Sequence, residues 1–269
     1  MEDIIDIRHQ IFREHMALRV TACITTEAPG VLSGIQRARH LMELSGLVFV
    51  SNMADGTPLN AGQEIARMIG SPFQITQAEE QIIGTLSKSS GIATAARQAR
   101  LQAGSRCQIV SGGWKKMPLE IKDLIRQAVR DGGIDVHIYK EPFIYLDKNY
   151  VRILGGVQKA IQTVNHLDRP VVVQIRGEFQ PIEEEAVEAV RMGAVVVMVD
   201  TGRLDHLTHV LQALGNNGLR SRVRIAFAGN VSLSDLETLA QYDLDVIDIG
   251  YAILDAPCLP MRFDVIQVE

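Results

Sequence analysis

From about residue 105 to residue 250 the chain repeats one rhythm, a short apolar run rich in β-branched residues followed by a longer segment with helical spacing. "CQIVSG" precedes "LEIKDLIRQAVRDGG", "FIYLD" precedes "YVRILGGVQKAIQTVNH", and "RPVVVQIRG" precedes "IEEEAVEAVRMG". "AVVVMVD" is followed by "LDHLTHVLQALG", "RVRIAFAG" by "SLSDLETLAQ", and "LDVIDIG" closes the series. Uniformly apolar strands alternating with helices predict a parallel sheet with its faces covered. Several strands end in Gly, Asp or Lys, residues suited to chemistry, and a barrel carries its active site at that end of its strands. Periodicity alone leaves an open doubly wound sheet as the alternative.

The first ninety residues read as mixed α and β. "RVTACITTEAPGVLSG" alternates like a strand and breaks at Pro29 and Gly30, "GIQRARHLMELSG" has helical periodicity ending on glycine, and "LVFVS" predicts a buried strand. "ADGTPLNAG" is a turn-rich connection and "AEEQIIGTLSKSS" a helix. "SGIATAARQAR" (Ser90 to Arg100) then reads as a new helix capped by Ser90, its small residues allowing something to come close: the protein's own packing, a substrate or a neighbouring subunit. The tail "PCLPMRFDVIQVE" predicts a strand returning to the N-terminal part. The expected division is an N-terminal α/β domain over 1–92, joined by 258–269, and a β/α barrel domain over 93–257.

Composition narrows the class. At 269 residues with 46% hydrophobic and 22% charged positions, the chain has the make-up of a soluble globular protein. A net charge of -5 argues against nucleic acid as the main partner while leaving room for a local basic pocket, and no apolar run reaches the roughly 20 residues that span a bilayer. The opening "MEDIIDIRHQIFREHM" does not read as a signal peptide. Cys23, Cys107 and Cys258, odd in number and far apart, point to reduced thiols in a cytoplasm and offer no structural zinc site. Ser-His-Asp order, His-Glu-x-x-His, a P-loop and a dinucleotide glycine fingerprint are all missing.

The candidate chemistry sits at strand ends. Gly229 in "FAGNV", with Asn230 beside it, and Gly250 in "DIGYA" suit close approach of an anion at a following helix N-terminus, or are simply tight turns. Asp200 ends "VMVDT" and would hold a ribose hydroxyl or a metal, or cap a helix. Lys115 and Lys116 in "GGWKKMP" and Lys148 in "YLDKNY" follow strands, where lysines would neutralise a pyrophosphate or face solvent. His137 lies in the apolar context "IDVHIY", which favours a core histidine. "IEEEAVEA" is an acidic helix start that the macrodipole favours.

Taken in order, these fragments resemble the quinolinate phosphoribosyltransferases, or nicotinate-nucleotide pyrophosphorylases, including relatives encoded in molybdenum operons. The resemblance runs from about Thr21 to the end: "APGVLSG", "DGTPLNAGQEIARMIG", "AEEQIIGTLSKSSGIAT" leading into a Ser-Gly-Ile-Ala-Thr signature, "AVRDGGIDVH", "IEEEAVEAVRMGAVVVMVDT" and "LDVIDIG". It implies an N-terminal α/β domain followed by a partial β/α barrel of the type II phosphoribosyltransferase kind. It further implies displacement of pyrophosphate from phosphoribosyl pyrophosphate (PRPP) by a pyridine nitrogen, with Mg²⁺ accompanying the pyrophosphate. A homodimer or higher homo-oligomer with a shared active site is implied as well, Lys88 reaching into the partner's pocket. On this resemblance Lys115 and Asp200 are catalytic, while Lys88, His137, Lys148, Gly229, Asn230 and Gly250 bind substrate and phosphate.

The same comparison shows departures. Trp114 stands where the family's Thr-Arg-Lys-Thr arginine belongs and Ile138 where its His-Arg arginine belongs, two ligands for the dicarboxylate. Neither replaces a guanidinium fork. Ala228 and Asn230 alter the phosphate loop, and Gln174 or Arg176 occupies the region of a family carboxylate. Trp114, Ile138 and Arg176 are therefore the expected acceptor pocket. Three readings follow: phosphoribosyl transfer to a less anionic aromatic heterocycle stacked on Trp114; quinolinate phosphoribosyl transfer with Arg176, Lys88 or Lys116 supplying the charge; or a non-catalytic protein that binds a nucleotide or phosphosugar.

Overall fold

The computed structural model of the protein describes residues 6–269, so the first five residues of the acidic opening stretch lie outside it. The described chain forms two compact units. One takes the residues up to Arg97 together with Pro118–Gly133 and Asp255–Glu269; the other takes Gln98–Met117 and Ile134–Leu254. Among the described residues no helix is long and apolar enough to cross a membrane, and Cys23, Cys107 and Cys258 are all free thiols.

The first unit is built on strands β1 (Val20–Thr26), β2 (Gly30–Val31), β3 (Val48–Val50), β4 (Pro58–Leu59) and β5 (Glu64–Gly70), with helices α1 (Arg8–Ile11), α2 (Ile35–Leu44), most of α3 (Pro72–Ala103) and α4 (Lys122–Asp131). Its main sheet is completed by the tail, so the expected returning strand is present. Counting β6 (Gln108–Val110), β7 (Ile144–Leu146), β8 (Val171–Ile175), β9 (Ala194–Asp200), β10 (Arg224–Ala228) and β11 (Val246–Asp248) before it, that tail is β12 (Met261–Val268). The sheet order is β12-β1-β5-β3, with β1 antiparallel to both neighbours. Central β1 is buried almost throughout, and Ile24, Ile65, Met68 and Ile82 fill the core beneath it. "LVFVS" is an edge strand rather than a buried one: Phe49 points inward while Val48 and Val50 face solvent. Side chains along a strand alternate between faces, and here only the Phe49 face is packed, so the apolar run overstates its burial.

In the second unit the strand order is β6-β11-β10-β9-β8-β7, and every pairing is parallel. Strands β7 to β11 stand beside their neighbours in sequence, and β6 then follows β11, so the order runs round without the reversal that marks a doubly wound sheet. Val110, Val172, Val196, Met198, Ala226 and Val246, from five strands, meet in one cluster with β7's Tyr145 packed against it. One shared interior is what a sheet curled toward closure has, and a barrel-like α/β unit is the result. The helices between strands are α5 (Lys148–Leu154), α6 (Val157–Val164), α7 (Ile182–Arg191), α8 (Leu204–Asn216) and α9 (Leu236–Leu239), with α10 (Tyr251–Leu254) after β11. "YVRILGGVQKAIQTVNH" makes two helices instead of one, because Gly155 and Gly156 take φ values of 80° and 118°.

Helix α3 corrects the reading of "SGIATAARQAR". It runs without a break through Ser90, which is therefore an interior residue and caps nothing. The Ser90 hydroxyl accepts a hydrogen bond from Ser33 N at 3.0 Å, and Thr94 Oγ1 accepts one from Val31 N at 2.9 Å. The small residues answer to the chain's own packing. A Cβ on Gly91 would stand 2.0 Å from the Pro257 carbonyl oxygen, and Leu259 N donates to Ser87 O at 2.9 Å. Over its central turns this helix is covered on nearly every side, Ser87, Ser89 and Ser90 included, so no helical stripe shows in its sequence. Gly91→Ala is expected to destabilise the protein by about 1–3 kcal/mol through overpacking against backbone. Gly84→Ala, where a Cβ meets nothing within 4 Å, is expected to raise stability by roughly 0.5–1 kcal/mol; thermal unfolding of the two variants checks the contrast.

Candidate active site

The C-terminal ends of the second unit's strands open on a cavity of about 480 Å³. Each strand contributes near its end: Gly112 and Lys115 follow β6, Tyr145 and Lys148 lie at β7, and Gln174 and Arg176 at β8. Asp200 ends β9, Gly229 and Asn230 follow β10, and Asp248 ends β11 ahead of Gly250. Parallel strands all deliver their last side chains to one edge, so residues distant in sequence converge there without any local signal. A neighbouring cavity of about 420 Å³ shares Thr201, Gly229 and Asn230 and reaches Asp235. Asp235 is part of a capping box with Ser232, whose backbone N–H donates to it at 2.8 Å. Gly229 has φ 108°, and a Cβ on it would lie 2.4 Å from Gly202 N, so only glycine fits.

The charges are arranged around Asp200. Arg176 Nη1 donates to Asp200 Oδ2 at 2.7 Å and to the Asp200 carbonyl at 2.5 Å, and Gln174 Nε2 donates to the same carboxylate. Gln174 turns its other end to the next strand, its Oε1 accepting from Lys148 N at 2.8 Å. Burial pushes the Asp200 carboxyl above the ordinary aspartate range, while Arg176, Lys148 and Lys116 pull it down. Asp248 is also pushed up by burial, opposed by the Gly112 N–H that it accepts at 2.9 Å and by Lys115. Tyr145 lines the same cavity, and burial, then Asp248, Asp200 and Asp147, hold its phenol well above the usual value. Its hydroxyl meets Met198 Sδ at 3.2 Å, and Lys115 Nζ stands 4.2 Å over its ring.

Eight of the expected residues line this cavity: Lys115, Lys116, Lys148, Arg176, Asp200, Gly229, Asn230 and Gly250. Four take other places. Trp114 Nε1 donates to Val136 O at 3.1 Å, and the indole meets the His137 ring edge-on at 5.8 Å. His137 is exposed rather than in the core that its context favours, because residues 134–138 alternate and its neighbours Val136 and Ile138 take the inward positions. Ile138 is 6% exposed and belongs to the barrel's interior cluster, so it packs the core where an acceptor ligand was expected. Lys88 lies in the first unit, its ammonium donating to Ala256 O at 2.7 Å.

Several cavity residues escaped the sequence reading. Asp248 had the same signal as Asp200, an acid closing an apolar strand, but only the glycine two residues later drew notice. Tyr145 and Met198 belong to apolar runs and look like core from sequence; position near the strand end is what turns them toward the cavity.

Residues 92–264 match the family described as "Quinolinate phosphoribosyl transferase, C-terminal domain", and residues 6–90 match its N-terminal counterpart. The chain is similar to a probable nicotinate-nucleotide pyrophosphorylase (carboxylating) of Archaeoglobus fulgidus, 26% identical over 250 residues that cover 92% of this chain and 95% of the other. A protein so described from Methanothermobacter thermautotrophicus is 25% identical over 250 residues, covering 92% and 88%. In fold, the chain matches the solved nicotinate-nucleotide pyrophosphorylase of Francisella tularensis with a TM-score of 0.82 at 21% identity, over 98% of this chain and 92% of that one.

The raised carboxyl of Asp248 gives a signed stability effect. A folded-state pKa above the unfolded one means that ionisation opposes folding, so this contribution is most favourable below the ordinary pKa and is lost as pH rises through the raised value. Asp248→Asn keeps an acceptor for Gly112 N and stays neutral at every pH. Its melting temperature should exceed the wild type's at pH 7, by on the order of 2–4 °C for each kcal/mol, and the gap should close as the pH falls toward 4.

Proposed function

The chain belongs to the quinolinate phosphoribosyl transferase family, and from that premise we propose that it transfers the phosphoribosyl group of PRPP to the ring nitrogen of a pyridine carboxylate, quinolinate first among them. The observation that carries this reading is the single strand-end cavity that brings Lys115, Lys148 and Arg176 together with Asp200 and Asp248. The reaction breaks the bond from the ribose carbon to pyrophosphate and forms one to nitrogen; with quinolinate a carboxylate then leaves as carbon dioxide and a proton from water takes its place on the ring carbon. Its transition state separates a diphosphate anion from a sugar of oxocarbenium character. Lysines meet the first demand as point charges, and the Asp200 carboxylate, paired with Arg176, meets the second. The glycine turn at Gly229 and the neighbouring cavity past Asn230 give room for the sugar's phosphate. Among the described residues no three acidic, histidine or cysteine side chains are grouped to hold a metal ion, so Mg²⁺ would enter bound to the diphosphate, where it would supply charge neutralisation. The family resemblance also carries a homo-oligomer, which sedimentation would show directly.

A second reading rests on a specific observation. The Trp114 indole N–H is spent on Val136 O and Ile138 is buried in the core, so neither offers charge to a dicarboxylate. The acceptor would then be a less anionic aromatic heterocycle.

Calorimetric titration with PRPP and Mg²⁺, followed by quinolinate, separates the readings. Micromolar binding of both, with nicotinate mononucleotide formed, is the expected result. PRPP binding without quinolinate binding favours the second reading, and binding of neither overturns both and leaves the non-catalytic alternative. Lys115→Ala and Lys148→Ala should each weaken PRPP binding by about 10–100-fold, the size of a lost charge-assisted contact; unchanged binding in both removes these lysines from the site.

A further inference from the structure

Helix α7 opens with Glu183, Glu184 and Glu185, of which only Glu185 turns fully inward, at 2% exposed. Its carboxylate takes its hydrogen bonds from backbone. Arg176 N and Gly177 N donate to Oε2 at 3.1 and 2.8 Å, and Glu178 N and Phe179 N donate to Oε1 at 3.1 and 3.2 Å. Four donors on two oxygens use the full acceptor capacity of a carboxylate. The four donors are consecutive, so one side chain fixes the path of the whole turn after β8. Gly177 completes that turn with φ 72°, and a Cβ there would lie 3.2 Å from Ile182 Cβ.

The turn carries the cavity's charge. Arg176 is its first residue, and its guanidinium reaches Asp200 through Nη1 while Nε lies 3.5 Å from Glu178 Oε1. Glu178, the third residue, is gripped from the other side by Arg152 at 2.6 Å. Glu185 thus pins the backbone of both Arg176 and the acid that steers it, while lining no part of the cavity itself.

We propose that Glu185 is a positioning residue of the active site, setting the Arg176 guanidinium on Asp200 and through it the anion affinity of the cavity. The proposal rests on the phosphoribosyl reading for its ligand, and on geometry alone for the turn. Glu185→Gln replaces one acceptor by an amide N–H₂ that faces two backbone donors, so the turn loosens without loss of side-chain volume.

The test is a cycle of Glu185→Gln, Arg176→Ala and the double variant, read by three measurements. Hydrogen exchange at Gly177, Glu178 and Phe179 should speed up at least about tenfold in Glu185→Gln while the later amides of α7 keep their protection. Magnesium pyrophosphate should bind about tenfold more weakly to Glu185→Gln than to wild type, yet equally to Arg176→Ala and the double variant. The Arg176 guanidinium N–H signals in NMR should exchange faster with solvent in Glu185→Gln than in wild type, as expected when the guanidinium loosens from Asp200. Faster exchange with unchanged pyrophosphate affinity, or equal losses of affinity in both backgrounds, overturns the proposal, since a merely structural role gives additive effects. If wild type does not bind pyrophosphate, the phosphoribosyl reading falls; the Arg176 guanidinium exchange then decides alone, an unchanged rate overturning the positioning role and a faster one supporting it. Should Glu185→Gln fail to fold, Glu185→Asp carries the same cycle with smaller effects.

Discussion

A carboxylate at the end of an apolar parallel strand is held where water is scarce, and the second unit is organised around compensating it. Asp200 closes β9 after a run of buried residues, and the neighbouring strand β8 supplies the answer through Arg176 and Gln174. Removing one member of such a pair is far costlier than the pair's net worth, because the other charge is then left unpaired. The arrangement therefore persists only if the turn carrying Arg176 is itself rigid, which is the part Glu185 plays from α7. From there the network passes to β7, where Lys148 N holds the far end of Gln174.

Asp200 and Asp248 also show why such a site is expensive to the fold. Both carboxyls are pushed toward their neutral forms by burial, and both are drawn back by lysines or an arginine that a substrate anion would share. The cavity's lysines, Lys115, Lys116 and Lys148, are left exposed beside these partly buried acids, so positive charge faces the open space. Stability given up at such positions is the usual exchange for function.

The first unit depends on a different constraint, the space between segments of the chain that pack against α3. Gly91 lets the backbone near Pro257 approach α3, Gly30 lies against Thr94 and Leu259, and Lys88 closes the same seam through Ala256 O. Around them Ser90 and Thr94 spend their hydroxyls on the backbone of residues 31 and 33. The Ser-Gly-Ile-Ala-Thr stretch thus combines three demands in one helical segment: no side chain at one position, hydroxyls at two, and apolar fill between.

Much of this was legible in the chain. Apolar runs of strand length separated by helical segments specify parallel β/α units, because side-chain period and burial are local properties. Acids and glycines at the ends of those runs mark the cavity, which is why Asp200, Gly229 and Gly250 are found without structure. Which side chain of a local group faces inward is another matter. Glu183, Glu184 and Glu185 are indistinguishable as a helix start, Ile138 reads as easily for a pocket as for a core, and Ser90 has the composition of a cap inside an unbroken helix. Those choices were made by partners far away in sequence: the turn after β8, the interior of the curled sheet, and the backbone at Ser33. Local pattern settles which segments are strands and helices; only packing between them decides where each polar side chain finds its hydrogen bonds, and so what each residue does.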